Sequence, residues 1–190
     1  MKLNIQYVNT MGDQNIEIAI LGFLIDNPKH GYELFKELKN PNGIGEVYRI
    51  KIGKMYSILK KFEEKELIFA KTIHVGNRPP KNLYRITKIG KTAFSNWMVK
   101  PIVRGRDFRI IFLLKLFFLI NRSEFNEIDL ISNQKNECKE WAKRINISNK
   151  QINEITSFNR IVKQYRLSQI DGYIKWLNWC ERIINEKNDI

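Results

Sequence analysis

Apolar and polar positions change rhythm several times along this chain, and each rhythm predicts an element. Residues 16–26, IEIAILGFLID, are apolar almost throughout and predict a short helix buried among its neighbours, because it has too little polar surface to face water. In NPKHGYELFKELKN, Asn27 and Pro28 predict a turn, after which Tyr32, Phe35 and Leu38, with Leu34, recur at helical spacing. That pattern predicts a second helix, with Tyr32 and Phe35 in the core, ending near Lys39 where PNGIGEV breaks the chain. From about 52 to 65, Met55, Ile58, Leu59 and Phe62 fall at i, i+3, i+4 and i+7 and predict a third helix with one buried stripe. LIFAKTIHV and LYRIT then read as two β-rich runs joined by a turn, a hairpin. Thr87 is placed to cap a fourth helix, KIGKTAFSNWMV, with Ile89, Ala93, Phe94 and Trp97 facing inward and Pro101 as its stop.

Beyond Pro101 there are no further prolines, and the pattern is helical to the end. Helices are predicted at about 104–120, 123–145 and 149–187, with Ser123 and Ser148 as starts and NISN, 146–149, as a loop. The last helix carries Ile152, Ile155, Val162, Tyr165, Tyr173, Leu177 and Ile184 near every third or fourth place, as a helix packed along a partner helix does. No repeat of fixed period stands out.

Charge adds what periodicity does not. The formal net charge of +13 implies an anionic partner, and its placement narrows the choice. Val47 to Phe62 holds five basic residues and no acid, and Leu67 to Arg106 holds nine, again with none. These zones coincide with the third helix and the hairpin. On the third helix the non-apolar faces carry Lys51, Lys54, Ser57 and Lys61, with Tyr56 and Lys60 beside them, while the acids Glu63, Glu64 and Glu66 crowd its end. That order opposes the helix dipole, which favours acids early and bases late, so an approaching anion explains it better than folding does. At the hairpin tip, GNRPPKNLYRIT places Arg78 and Lys81 around two prolines that stiffen it.

Several classes are disfavoured. Cys138 and Cys180 stand far apart without a CxxC pattern, which suits a reducing compartment and helix packing rather than a disulfide or zinc framework. His30 and His74 lack partners at ligand spacing, and no Walker loop, GxSxG or dinucleotide fingerprint occurs, so no catalytic, metal or cofactor site is assigned. The most apolar run, Phe108 to Ile120, is too short for a membrane span of about 20 residues and includes Arg109 and Lys115. MKLNIQYVNTMGDQN is not a secretory leader, and the expected location is the cytoplasm.

Three helices, a hairpin and a helix, with a basic third helix and a basic hairpin tip, is the order of a winged helix-turn-helix. ILGFLIDNPKHGYELFKEL, KMYSILKKFEEKELI and GNRPPKNLYRITKIG together resemble the N-terminal domain of the PadR family of bacterial transcriptional regulators. KPIVRGRDFRIIFLLKLFFL is similar to the start of the helical C-terminal domain of the longer, virulence-activator-like members. Lys54 stands where the family has a small polar residue, and Pro80 where it more often has Arg or Lys. The resemblance implies a mainly α protein: a winged-helix DNA-binding domain at about 1–99 and a helical dimerisation domain at about 100–190. It implies a homodimeric, sequence-specific repressor on double-stranded DNA carrying an inverted-repeat operator, with no membrane partner. A sequence-tolerant architectural or plasmid-maintenance DNA binder is the alternative. Lys51, Lys54, Tyr56, Ser57 and Lys61 on the third helix, with Arg78 and Lys81 on the wing, are the expected DNA contacts. Small aromatic effectors act in aromatic pockets of the family, so Trp97, Trp176 and Trp179 are the candidates for lining one here.

Overall fold

The structure, a computed structural model, describes residues 16–74, 80–121, 127–150 and 156–188, in two compact units, Met1–Arg122 and Ser123–Ile190. In the first unit a 3-10 turn, Ile16–Ile18, runs into a single helical turn α1, Ala19–Gly22. The chain leaves the helix at Phe23, earlier than the apolar run predicts, although Leu24 is still fully buried. Apolarity there reports burial, not helix length.

A two-residue strand β1, Lys29–His30, leads into α2, Gly31–Leu38, and α3 spans Ile52–Glu64 after a 3-10 turn at Ile44–Glu46. The hairpin follows as β2, Ile68–Ile73, and β3, Lys81–Ile86, paired antiparallel from Ile68 opposite Ile86 to Ile73 opposite Lys81. β1 adds to the other side of β3, with Lys29 opposite Tyr84 and His30 opposite Leu83, giving the order β1-β3-β2. Helix α4, Lys88–Val99, begins at the Thr87 cap as expected: the Gly90 amide donates to Thr87 Oγ1 at 3.0 Å. On α3 the predicted stripe of Met55, Ile58, Leu59 and Phe62 is fully buried. On α2 the stripe is Gly31, Leu34 and Leu38. Tyr32, expected in the core, is 70% exposed and Phe35 is half-buried, because the buried face begins at a glycine that a count of apolar side chains passes over.

The end of α3 is a Schellman motif: the Leu67 amide donates to the Phe62 carbonyl at 2.9 Å and the Glu66 amide to the Glu63 carbonyl at 2.9 Å. Glu66 is therefore left-handed, with φ 55°, where glycine is the usual occupant. Glu66→Gly should raise the stability of the fold by about 1 kcal/mol, read as a higher urea midpoint at unchanged slope. An unchanged midpoint would mean that the glutamate gains elsewhere what its backbone loses.

The first unit continues beyond residue 99, where the sequence reading places a domain boundary. After Pro101 come α5, Gly105–Asp107, a π-helical stretch at Phe108–Phe112 and α6, Leu113–Ile120. Phe118 on α6 meets Phe23 at 5.2 Å and Phe94 at 5.1 Å, both edge to face, so α6 is tied to α1 and α4 by an aromatic cluster. Gly22 makes room for it, since a Cβ there would lie 2.5 Å from the Phe118 ring.

The second unit is a pair of long helices, α7, Glu127–Lys150, and α8, Ser157–Asn188. The ion pair Lys135–Glu181 and the Trp141–Tyr173 ring contact run in opposite senses along the two sequences, so the helices are antiparallel. Ile170, Tyr173, Leu177, Cys180 and Ile184 step by three and four residues along the buried side of α8, a coiled-coil seam. NISN is helical, not a loop, and Ser148 lies within α7: Ser and Asn cost only a few tenths of a kcal/mol each in a helix, too little to end one. Ser123, Ile152 and Ile155 lie outside the described residues. Cys138 and Cys180 are buried and free, and burial pushes both thiols up to about 11, as packing residues rather than nucleophiles.

Candidate nucleic-acid interface

Burying the stripe of α3 turns its other residues outward. Gly53, Ser57 and Lys60 form the outermost row, with Tyr56 to one flank and Lys54 and Lys61 to the other. Lys60 is exposed and makes no ion pair among the described residues, so it belongs with the candidates although the spacing argument set it aside. Gly53 has nothing within 4 Å of the place a Cβ would take, so no intramolecular contact asks for glycine there. Lys51 is the exposed, extended N-cap of the helix, and the first turn contains no acid.

Tyr56, 42% exposed, lies across the start of α2: a Cβ on Gly31 would stand 2.6 Å from its hydroxyl oxygen and 2.7 Å from its ring. Glycine at 31 is thus a condition of the tyrosine's position. The start of α2 is also fastened to the wing. His30 Nδ1 donates to the Asn82 carbonyl at 3.1 Å, and the His30 amide donates to Glu33 Oε2 at 2.8 Å. Between these parts opens a cleft of about 700 Å³ lined by Tyr32, Tyr56, Thr72, Pro80 and Lys81 among others. Tyr84 and Ile86 are buried and Leu83 is half-buried on β3. Lys81 is exposed at the start of β3, whereas Arg78 lies outside the described residues.

Tyr56 and Lys81 line one cleft, while Ser57 and Lys60 are exposed on the outer row of the same helix and Lys51 at its start. The structure treats Lys54 and Lys61 differently. Their ammonium groups are held by one carboxylate, Lys54 Nζ at 2.8 Å from Glu17 Oε1 and Lys61 Nζ at 3.0 Å from Glu17 Oε2. Burial pushes the Glu17 carboxyl up, but hydrogen bonds and charge from the two lysines outweigh it and hold the group below the ordinary carboxylate range. A zone free of acid along the sequence is not free of acid in space. Glu17 is separated from the lysines by 37 and 44 residues, and no local pattern reveals the pairing.

Of the tryptophans, Trp97 is fully buried in the first unit, 5.7 Å from Phe94 and beneath the ammonium of buried Lys115 at 5.1 Å. Trp176 is half-buried and Trp179 exposed on α8, in the second unit. No tryptophan lines the cleft between α2, α3 and the wing. Among the described residues no group of His, Cys, Asp and Glu could hold a metal ion, and no helix is long and apolar enough to cross a membrane.

Residues 20–96, which contain α2, α3 and the wing, match the Transcriptional regulator PadR-like family. Over this segment the chain is similar to PadR-like transcriptional regulators. It is 25% identical over 126 residues to the negative transcriptional regulator PadR of Bacillus subtilis, covering 65% of this chain and 68% of that protein. Against the crystal structure of B. subtilis PadR with operator DNA it is 23% identical, covering 89% of this chain and 97% of the other at a TM-score of 0.42. Against the same regulator with p-coumaric acid the figures are 24%, 90%, 98% and 0.39. At these TM-scores the superpositions add nothing to the geometry above. The matched family and this relative are transcriptional regulators.

Proposed function

We propose that this PadR-like protein is a homodimeric repressor that reads an inverted-repeat operator in the cytoplasm, with α3 in the major groove and the wing on the flanking backbone. The observation that carries the reading is the outward row of α3, where Gly53, Ser57 and Lys60 face solvent beside Tyr56, with Lys51 at the helix start and Lys81 on the wing. A major groove about 12 Å wide accepts a helix whose outer row is this small. The lysines and the tyrosine hydroxyl suit phosphates, which position a protein, while Ser57 and the backbone at Gly53 come nearest the base edges.

Dimerisation is supported by α8. Away from its buried seam, a second row of Phe158, Ile161, Tyr165, Ser168, Gly172, Trp176, Trp179 and Ile183 shares one face and contains no charge. Phe158, Ile161 and Tyr165 are 70%, 66% and 62% exposed, an apolar surface that a second copy of α8 would cover. Gly172, with open space at its Cβ position, is the smallest point of that row, where two helices could cross closely. Two-fold symmetry would then place the α3 helices about one DNA turn, roughly 34 Å, apart. We propose that the aromatic effector, the release signal, acts at Trp176 and Trp179 on this row rather than at buried Trp97.

Gly53→Ala tests the interface. An alanine favours the helix by about 0.5–1 kcal/mol, so the variant should melt no lower than the parent. It should nevertheless bind the duplex upstream of its own gene at least several-fold more weakly in an anisotropy titration. Undiminished binding would remove the close approach of α3. Equal affinity of the parent for that duplex and a scrambled one would favour the sequence-tolerant reading instead.

A further inference from the structure

We propose that Glu17 is a specificity-determining residue of the DNA-binding surface, a fixed carboxylate that holds Lys54 and Lys61 on the flank of α3 and cancels one of their two charges. The inference rests on the DNA-binding reading above and concerns how strongly that surface grips any duplex.

The two lysines are seven residues apart, two turns and about 10.5 Å along the helix. They reach separate oxygens of one carboxylate, so both side chains must lean along the helix toward a common point beside its middle. Glu17 is well placed to hold that point. It sits in the short 3-10 turn before α1, its side chain is only 13% exposed, and Ile18 next to it is fully buried. The lysines remain accessible, at 57% and 43%, so each ammonium gives one hydrogen to Glu17 and keeps others for solvent or phosphate. Nothing in apolar packing asks for an acid at this position, which is partly withdrawn from water and adjoins Tyr48, whose hydroxyl the Glu17 charge also affects.

The consequence follows from how DNA binding divides. Contacts with phosphate release counterions and attract every sequence alike, whereas base contacts discriminate. Two unopposed lysines on this flank would add two units to the sequence-independent part. With Glu17 between them they add one, and they are aimed rather than free to follow the nearest phosphate. Glu17 thereby lowers general affinity while leaving the outer row of Gly53, Ser57 and Lys60 to read the groove.

Glu17→Gln keeps the shape, leaves one acceptor oxygen where the carboxylate has two, and removes the charge. Anisotropy titrations of the full chain would use the duplex upstream of its gene and a scrambled duplex, over a series of salt concentrations. The variant should bind scrambled DNA roughly 3- to 10-fold more tightly, with the slope of log K against log salt steeper by about 1, and the ratio between the two duplexes should fall. An unchanged scrambled-duplex affinity and slope would overturn the proposal, as would equal weakening on both duplexes, which is the mark of a merely structural prop. A second comparison repeats Glu17→Gln in a chain carrying Lys54→Met and Lys61→Met. There the added charge effect should vanish, and its persistence would also refute the clamp. Parent protein that binds neither duplex would instead sink the DNA-binding reading, and the clamp's role with it.

Discussion

With Tyr165→Asp and Trp179→Asp together, the dimer proposed above should fall to a monomer and lose roughly 10²- to 10⁴-fold in operator affinity. The two side chains lie two heptads apart on the uncharged row of α8 and are 62% and 49% exposed, so their replacement leaves the seam against α7 untouched. Helix content and the cooperative melt of the monomer should therefore persist. Four carboxylates gathered across a symmetric apolar interface would each be desolvated without a partner, a cost of several kcal/mol that no rim contact offsets. The loss on DNA is an avidity loss: one half-site held alone forgoes the effective concentration that a joined second half-site supplies. Light scattering gives the mass and anisotropy the affinity. A variant that remains dimeric would move the interface off this row, and a monomer with full operator affinity would show that one winged helix suffices.

Gly90→Ala is expected to cost at least 3 kcal/mol and to leave little folded protein in a marginal domain. A Cβ at this position would stand 2.1 Å from the Leu67 carbonyl oxygen and 2.8 Å from the Ile86 side chain. The first of these neighbours is backbone, and it is already committed. Leu67 O accepts from the Thr87 amide at 3.0 Å and from the Thr87 hydroxyl at 3.1 Å, and Thr87 in turn caps α4 through the Gly90 amide. Relief of the clash therefore has to open the junction at which the wing's last strand meets α4. Thermal unfolding followed by circular dichroism measures the loss. A fall of less than 1 kcal/mol would mean that α4 can slide away from Leu67 cheaply, and the tight junction would not be a constraint.

Legibility in the sequence tracked the range of the interaction. The stripe of α3, each strand of the hairpin and the Thr87 cap are written within eight residues or fewer, so periodicity and local chemistry predict them to within a residue or two. The strand β1 is invisible because Lys29 and His30 become a strand only by pairing with residues more than fifty positions away. On α2 the apolar spacing finds Leu34 and Leu38 but turns the buried face toward Tyr32 and Phe35, since a glycine contributes to a buried face without adding an apolar side chain. In the candidate interface the same division holds. The outward positions of Tyr56 and Ser57 follow from the helix period once the buried stripe is known. The seating of Tyr56 on Gly31 and the capture of Lys54 and Lys61 by Glu17 depend on three-dimensional meeting points that no window of the chain contains.

The short strand Lys29–His30 has a mechanical meaning. Because it is laced to β3, and His30 is hydrogen-bonded to Asn82, the hairpin and the leading end of α2 cannot tilt independently. A torque on either is delivered to both, and through Tyr56 to α3. Anything that strips the protein from its site by moving the hairpin has to lever that whole assembly as one rigid jaw.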